Sequence, residues 1–147
     1  MIREAVIILA AASLATLISA FFHPKRPAWH RVEDPSDIQW SLTVEQAKKL
    51  IRSGEPVLWI DARSRREFEK GHLADAILLN TDEWGDLMYQ HQNRLQKAMG
   101  HPIIVYCDGS GCQKSKEIAE RLRELLGLDP VFVLKGKWRK LGAVAVK

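Results

Sequence analysis

Ile103-Ile104-Val105-Tyr106-Cys107-Asp108-Gly109-Ser110-Gly111-Cys112-Gln113-Lys114-Ser115 is the stretch on which the reading of this chain turns. Its first four residues are apolar and mostly β-branched, and His101-Pro102 stands before them, so they predict a short buried strand. From Ser115 to Leu126 the pattern changes to helical: Ile118, Ala119, Leu122, Leu125 and Leu126 fall on one face, and Gly127 ends it. Cys107 therefore sits at the carboxyl end of a strand, on a glycine-containing loop that runs into a helix. Backbone N–H groups of such a loop and the positive end of the helix favour a thiolate over a thiol. Lys114 and Lys116 add positive charge close by in sequence. The competing reading is a small buried hydrophobe, which a free cysteine often is. That suits Cys107 better than Cys112, which lies in a polar, glycine-flanked loop. The Gly-x-Gly of this loop is only a weak phosphate-cradle signal.

The same punctuation repeats on either side. Thr43-Val44-Glu45-Gln46 fits a capping box that opens a helix with Ala47, Leu50 and Ile51 on its apolar face and Gly54 after it. Val57–Ile60 reads as a strand, and Ser64–Glu67 as a second capping box for a short helix that ends at Gly71. Ala76–Leu79 is a third strand. Trp84, Leu87, Met88, His91, Leu95 and Met99 then keep helical spacing up to Gly100. Val131–Leu134 closes the series, followed by Gly136 and a basic tail. Strands that alternate with helices predict an α/β domain around a mostly parallel sheet. In such sheets, sites form at the carboxyl ends of strands.

With 147 residues, 46% hydrophobic and 27% charged, the chain has the size and composition of one globular domain. A net charge of +4 without a run of like charges gives no nucleic-acid footprint. Two cysteines five positions apart staple nothing distant, although their loop glycines allow a local redox disulfide. His72, His91 and His101 lack metal-ligand spacing, so no metal and no cofactor is expected.

The amino terminus differs in kind. Residues 5–22 carry no charge and are rich in Ala, Leu and Ile. As a helix they would reach about 27 Å, close to the roughly 30 Å hydrocarbon core of a bilayer. A single-pass membrane anchor fits residues 1–23 better than a cleaved signal peptide, because Leu17 and Ile18 stand where a cleavage site wants small residues. Residues 24–37, with three prolines, read as a linker, and residues 38–147 as the domain. Lys25, Arg26 and Arg31 after the span against Arg3 before it favour a cytoplasmic domain by a narrow margin, which leaves the side open.

Asp61-Ala62-Arg63 follows the Val57–Ile60 strand directly. It reads first as an ion pair that fixes the loop, and second as a guanidinium facing an anionic substrate. His72, after Gly71, reads more readily as a packing or hydrogen-bonding residue than as a base. Trp59, Trp84 and Trp138 read as core.

Taken together, these stretches resemble the rhodanese family. Leu58 to Ala76, with Gly71-His72-Leu73-Ala74-Asp75-Ala76, is similar to the family's block ending in Gly-His-Ile-Pro-Gly-Ala. Ile104-Val105-Tyr106-Cys107 is similar to its strand and catalytic cysteine, and Val133-Leu134-Lys135-Gly136-Lys137-Trp138 to its closing motif. The likeness spans about residues 40 to 142 in order. It implies a three-layer α/β/α domain, here preceded by the hydrophobic amino-terminal helix. It also implies a sulfurtransferase in which the Cys107 thiolate takes a sulfane sulfur from a donor such as thiosulfate. A thiol, cyanide or a protein acceptor then removes the sulfur from the persulfide. In this reading Asp108, Gly109, Ser110, Gly111, Gln113, Lys114 and Ser115 form the active loop, and its N–H groups hold the anionic sulfur. Cys112 is accessory or resolving, and Asp61, Arg63 and His72 are structural or substrate-facing.

The loop departs from the family pattern. Cys112 stands where a Ser or Thr is usual, Ser115 falls further along, and the usual Arg is missing. Ala74-Asp75 replaces Pro-Gly, and Lys137 stands where a second Gly is common. Related phosphatases need an Arg six positions after the cysteine; here that position is Gln113, a neutral amide that cannot replace a bidentate cation. Two other functions stay beside sulfur transfer: thiol–disulfide exchange by Cys107 and Cys112, and a non-catalytic binding module on the same fold.

Overall fold

A computed structural model describes residues 4, 6, 38–109 and 113–142. The expected membrane anchor (residues 1–23) and linker (24–37) lie almost wholly outside them. Among the described residues no helix is long and apolar enough to cross a membrane.

Residues 35–147 form one compact unit. Its elements, in chain order, are β1 (Ser41–Thr43), α1 (Val44–Arg52), β2 (Leu58–Asp61), α2 (Arg65–Glu69), β3 (Ile77–Leu78), α3 (Trp84–Lys97), β4 (Ile103–Tyr106), α4 (Gln113–Leu126) and β5 (Val131–Lys135). A 3-10 turn over Trp138–Leu141 follows. The five strands form one sheet in the order β1-β5-β4-β2-β3, and every pairing is parallel. The fold is the expected α/β class with a parallel sheet.

Period-2 alternation decides what each strand residue covers. Leu58, Ile60, Ile103, Val105 and Val131 point to one face, where α3 and α4 supply Leu87, Leu95, Ile118, Ala119 and Leu122. Trp59, Ile104, Tyr106 and Leu134 point to the other, against Ala47 of α1 and Trp138 and Leu141 of the 3-10 turn. Helical elements thus cover both faces, which is why β4 reads as an unbroken apolar run. Full burial of side chains such as Leu122 stabilises the fold by about 1.5–3 kcal/mol each, and trimming one to Ala costs about 2–5 kcal/mol once the cavity is included.

Local chemistry sets the helix starts. At α1, Thr43 Oγ1 accepts from Gln46 N–H (3.3 Å) and Gln46 Oε1 accepts from Thr43 N–H (2.8 Å), a complete capping box. At α2, Glu67 accepts from both the N–H and the hydroxyl of Ser64 (3.1 and 2.7 Å). That hydroxyl therefore serves the carboxylate.

Several elements differ from the sequence expectations. β1, three residues long, was not foreseen: Ser41-Leu42-Thr43 carries one strong apolar residue, and only its register against β5 makes it a strand. The strand expected at 76–79 contracts to Ile77–Leu78, an edge strand held by β2 alone. Part of the expected basic tail is the 3-10 turn, with Trp138 and Leu141 buried. Met99 lies beyond the end of α3 and is exposed, so the expected apolar face stops at Leu95.

Candidate active site

The carboxyl ends of β2, β4 and β5 lie side by side: Asp61 pairs in register with Tyr106, and Val105 with Val133. The loops that leave these ends carry Arg63, Cys107–Asp108 and Trp138–Arg139, which meet there although 76 positions separate the first from the last.

Cys107 is buried, 2% exposed. It is disulfide-bonded, and the sequence holds one other cysteine, Cys112, which with Ser110 and Gly111 lies outside the described residues. The Cys107 sulfur stands 3.6 Å from Ser115 Oγ and 3.7 Å from the Gly109 carbonyl oxygen. A disulfide sulfur has no proton to give, so the Ser115 hydroxyl is the donor of the first pair. Ser115 is 1% exposed and lies in the first turn of α4, which holds no acidic residue. The amino-terminal turn of a 14-residue helix therefore abuts the sulfur, and its partial positive charge favours an anion there. Gln113 and Lys114, at the start of that helix, are exposed.

Arg63 organises the wall. Its Nε and Nη2 donate to Asp61 (2.9 and 2.6 Å), and Nη2 also donates to the Gly71 carbonyl (2.7 Å). Its carbon Cζ lies 5.0 Å from the centre of the Trp138 ring and 6.0 Å from that of Tyr106. Burial works to lower the pKa of this guanidinium, but the hydrogen bond and charge of Asp61 more than offset it, so it stays a cation. Asp61 is 0% and Arg63 3% exposed, a paired buried charge and not an open anion receptor. Tyr106 accepts from Leu73 N–H (3.0 Å). Burial, with the charge of Asp61, lifts its phenol well above the usual range, so it remains a neutral hydroxyl.

Asp108 closes the wall. Oδ1 accepts from Trp138 Nε1 (3.0 Å) and Arg139 Nη1 (3.2 Å), and Oδ2 from Arg63 Nη1 (3.5 Å). Burial opposes the charged form, yet the Trp138 hydrogen bond and the two guanidinium groups hold its carboxyl below the usual range. His72 makes its contacts with Phe68: its ring stacks on the Phe68 ring (3.7 Å, 7°) and Nδ1 bonds the Phe68 carbonyl (2.9 Å), which fixes the turn after α2.

Sequence reasoning missed three contributors. Trp138 reads as core and is 1% exposed, but its indole N–H serves Asp108. Arg139 carried no signal beyond its charge. Asn80, after β3, accepts from Glu83 N–H (2.8 Å) and donates to the Arg63 carbonyl (3.4 Å). The available clue was position: each follows the carboxyl end of a strand in the same sheet. Among the described residues no group of His, Cys, Asp and Glu is placed to hold a metal ion.

A parallel α/β domain with a cysteine at the carboxyl edge of its central strand, backed by a helix amino terminus, is the class that fold and site define. The model of the rhodanese-like domain matches residues 43–143, and the chain belongs to that family. It is similar to the uncharacterized protein YibN of Escherichia coli K12, 37% identical over 94 residues, which cover 64% of this chain and 61% of that protein. It is also 29% identical over 103 residues to a tRNA uridine(34) hydroxylase of Yersinia enterocolitica, covering 70% of this chain but 28% of that protein. The chain thus spans less than two thirds of either relative. A rhodanese-like domain protein of Staphylococcus aureus superposes with a TM-score of 0.55 at 22% identity, covering 73% of this chain and 95% of that one, a likeness of fold.

Proposed function

We propose that this protein is a sulfurtransferase that works through a persulfide on Cys107. The observation that carries the reading is the buried Cys107 sulfur, at the carboxyl end of β4, with the Ser115 hydroxyl and the first turn of α4 beside it. Once reduced, the thiolate attacks the outer sulfur of a donor such as thiosulfate. A new S–S bond forms, the donor's S–S bond breaks, and sulfite leaves with the electron pair. Cyanide or a thiolate then takes the outer sulfur and returns the Cys107 thiolate. The partners are a small sulfur donor and a thiol, cyanide or protein acceptor, with no nucleic acid. Residues 5–22 tether the domain to a membrane; retention of the full chain, and loss of a chain lacking them, in an alkaline-washed membrane fraction tests this.

Thiocyanate formation from thiosulfate and cyanide, with a thiol reductant present, tests the chemistry. Cys107→Ser should abolish it. Undiminished turnover in that variant contradicts the proposal.

A second reading rests on Cys107 being disulfide-bonded. Thiolate attack on the inner sulfur of a Cys107 persulfide expels hydrosulfide and leaves a disulfide, so exchange chemistry can follow sulfur loading. A disulfide that forms and is reduced reversibly without any sulfane donor favours this reading. Two unreactive thiols favour a binding module.

A further inference from the structure

Asp108 is the residue next to the nucleophile, and it is an unexpected one for a site that must admit an anion. Its carboxylate is 45% exposed, yet Trp138 and Arg139 of the 3-10 turn hold it at 3.0 and 3.2 Å, and Arg63 of the loop after β2 at 3.5 Å. Both guanidinium groups lie over the Trp138 indole, at 5.0 and 4.6 Å from its centre. Arg63 and Arg139 are therefore engaged by a carboxylate of the protein itself. Glu67 lies near enough that the charge of Asp108 works to raise its pKa, so a second carboxylate contributes negative potential here.

We infer that Asp108 is a specificity-determining residue that selects sulfur donors by charge. It engages Arg139 and the one Arg63 nitrogen that Asp61 and Gly71 leave over, and it sets a negative charge one residue along the chain from Cys107. Donors of lower negative charge are thereby favoured over dianionic thiosulfate. The inference rests on the proposed Cys107 persulfide and names the donor class that this site takes. Like charges repel in proportion to the product of their charges, and a partly buried site screens them less than water does.

Two donors that react alike but differ in charge test it: thiosulfate, a dianion, and methanethiosulfonate, a monoanion. Each gives its outer sulfur to the thiolate, with sulfite or methanesulfinate as leaving group, so the product on Cys107 is the same persulfide. The readout is the ratio of the two loading rates, thiosulfate over methanethiosulfonate, on the reduced full-length protein. Asp108→Asn keeps an oxygen for the Trp138 and Arg139 hydrogen bonds and removes the charge; the ratio should rise about ten-fold. Asp108→Glu should leave the ratio low. In the unmodified protein, raising ionic strength from about 0.01 to about 1 M, which shortens the screening length from about 30 to 3 Å, should also raise the ratio. A purely structural Asp108 would slow both donors together. A ratio that moves less than about two-fold in Asp108→Asn and with salt overturns the inference and leaves the persulfide standing. Failure of the unmodified protein to load from either donor overturns both.

Discussion

Ser115 Oγ and Cys107 Sγ stand 3.6 Å apart across eight positions of sequence, and both are buried. The first turn of α4 thus delivers a hydroxyl to the sulfur, although Ser115 falls later in the loop than the family pattern places it. A hydroxyl that donates to sulfur stabilises the thiolate more than the thiol. Ser115→Ala should raise the pH midpoint for alkylation of reduced Cys107 by iodoacetamide by about half to one pH unit. An unchanged midpoint would show that the hydroxyl has no part in activating the sulfur.

The Asp61–Arg63 pair should dominate the stability of this edge. Arg63→Ala leaves a fully buried carboxylate without its guanidinium partner, with the backbone N–H of residue 63 (3.0 Å) still donating to it, and the Gly71 carbonyl without its side-chain donor. Loss of one partner of a buried pair costs about 3–5 kcal/mol. Arg63→Lys keeps the charge but not the fork, and should cost less. Urea unfolding midpoints measure both; equal and small losses would mean that water replaces the guanidinium.

Asp75 has φ +59, the left-handed region that glycine enters without a Cβ penalty. The family block has Gly at this place, so Asp75 holds a backbone form chosen for another residue. Its carbonyl accepts from Arg94 Nη2 (2.7 Å), a bond that any residue there keeps. Asp75→Gly should stabilise by about 0.5–1 kcal/mol, read as a rise in thermal midpoint. A fall would mean that the Asp side chain contributes more than the backbone strain costs.

Stability should fall with acid in two stages. Burial, then the charges of Arg94 and Arg65, hold the His91 pKa below 6.5, so the unfolded chain binds that proton more readily. Such a group contributes stability that is present above pH 6.5 and is lost as pH drops through the folded value. Glu67, Glu83 and Asp108 titrate below their ordinary values of 4.5 and 3.8, Glu67 through Ser64 and Glu83 through Arg65. Their contribution is present above those values and is lost below them. Urea midpoints at about pH 7.5, 5.5 and 3 trace the two stages, and His91→Gln should remove the first alone.

Much of the domain was legible in the sequence because local rules and tertiary structure agree there. Ile103–Tyr106 is apolar at every position, and a strand buried on both faces demands that. Thr43–Gln46 carries its cap within four residues. β1 was hidden because Ser41-Leu42-Thr43 has no pattern of its own; its strand form comes from partners about ninety positions away. The wall of the site was hidden for a related reason. Trp138 and Arg139 reach Asp108 only once β5 lies beside β4, and no spacing in the chain encodes that adjacency. Gly136 was partly legible: its φ is +119, and a Cβ there would lie 3.1 Å from Val44 Cγ2, so the turn that launches Trp138 admits no side chain without a shift.

The most direct test is the intact mass of the reduced full-length protein after exposure to a sulfane donor, with Cys107→Ser and Cys112→Ser alongside. The expected result is a gain of one sulfur atom, mapped to Cys107, removed by cyanide, retained in Cys112→Ser and absent in Cys107→Ser. No gain with thiosulfate or methanethiosulfonate, or a gain that survives Cys107→Ser, would contradict it.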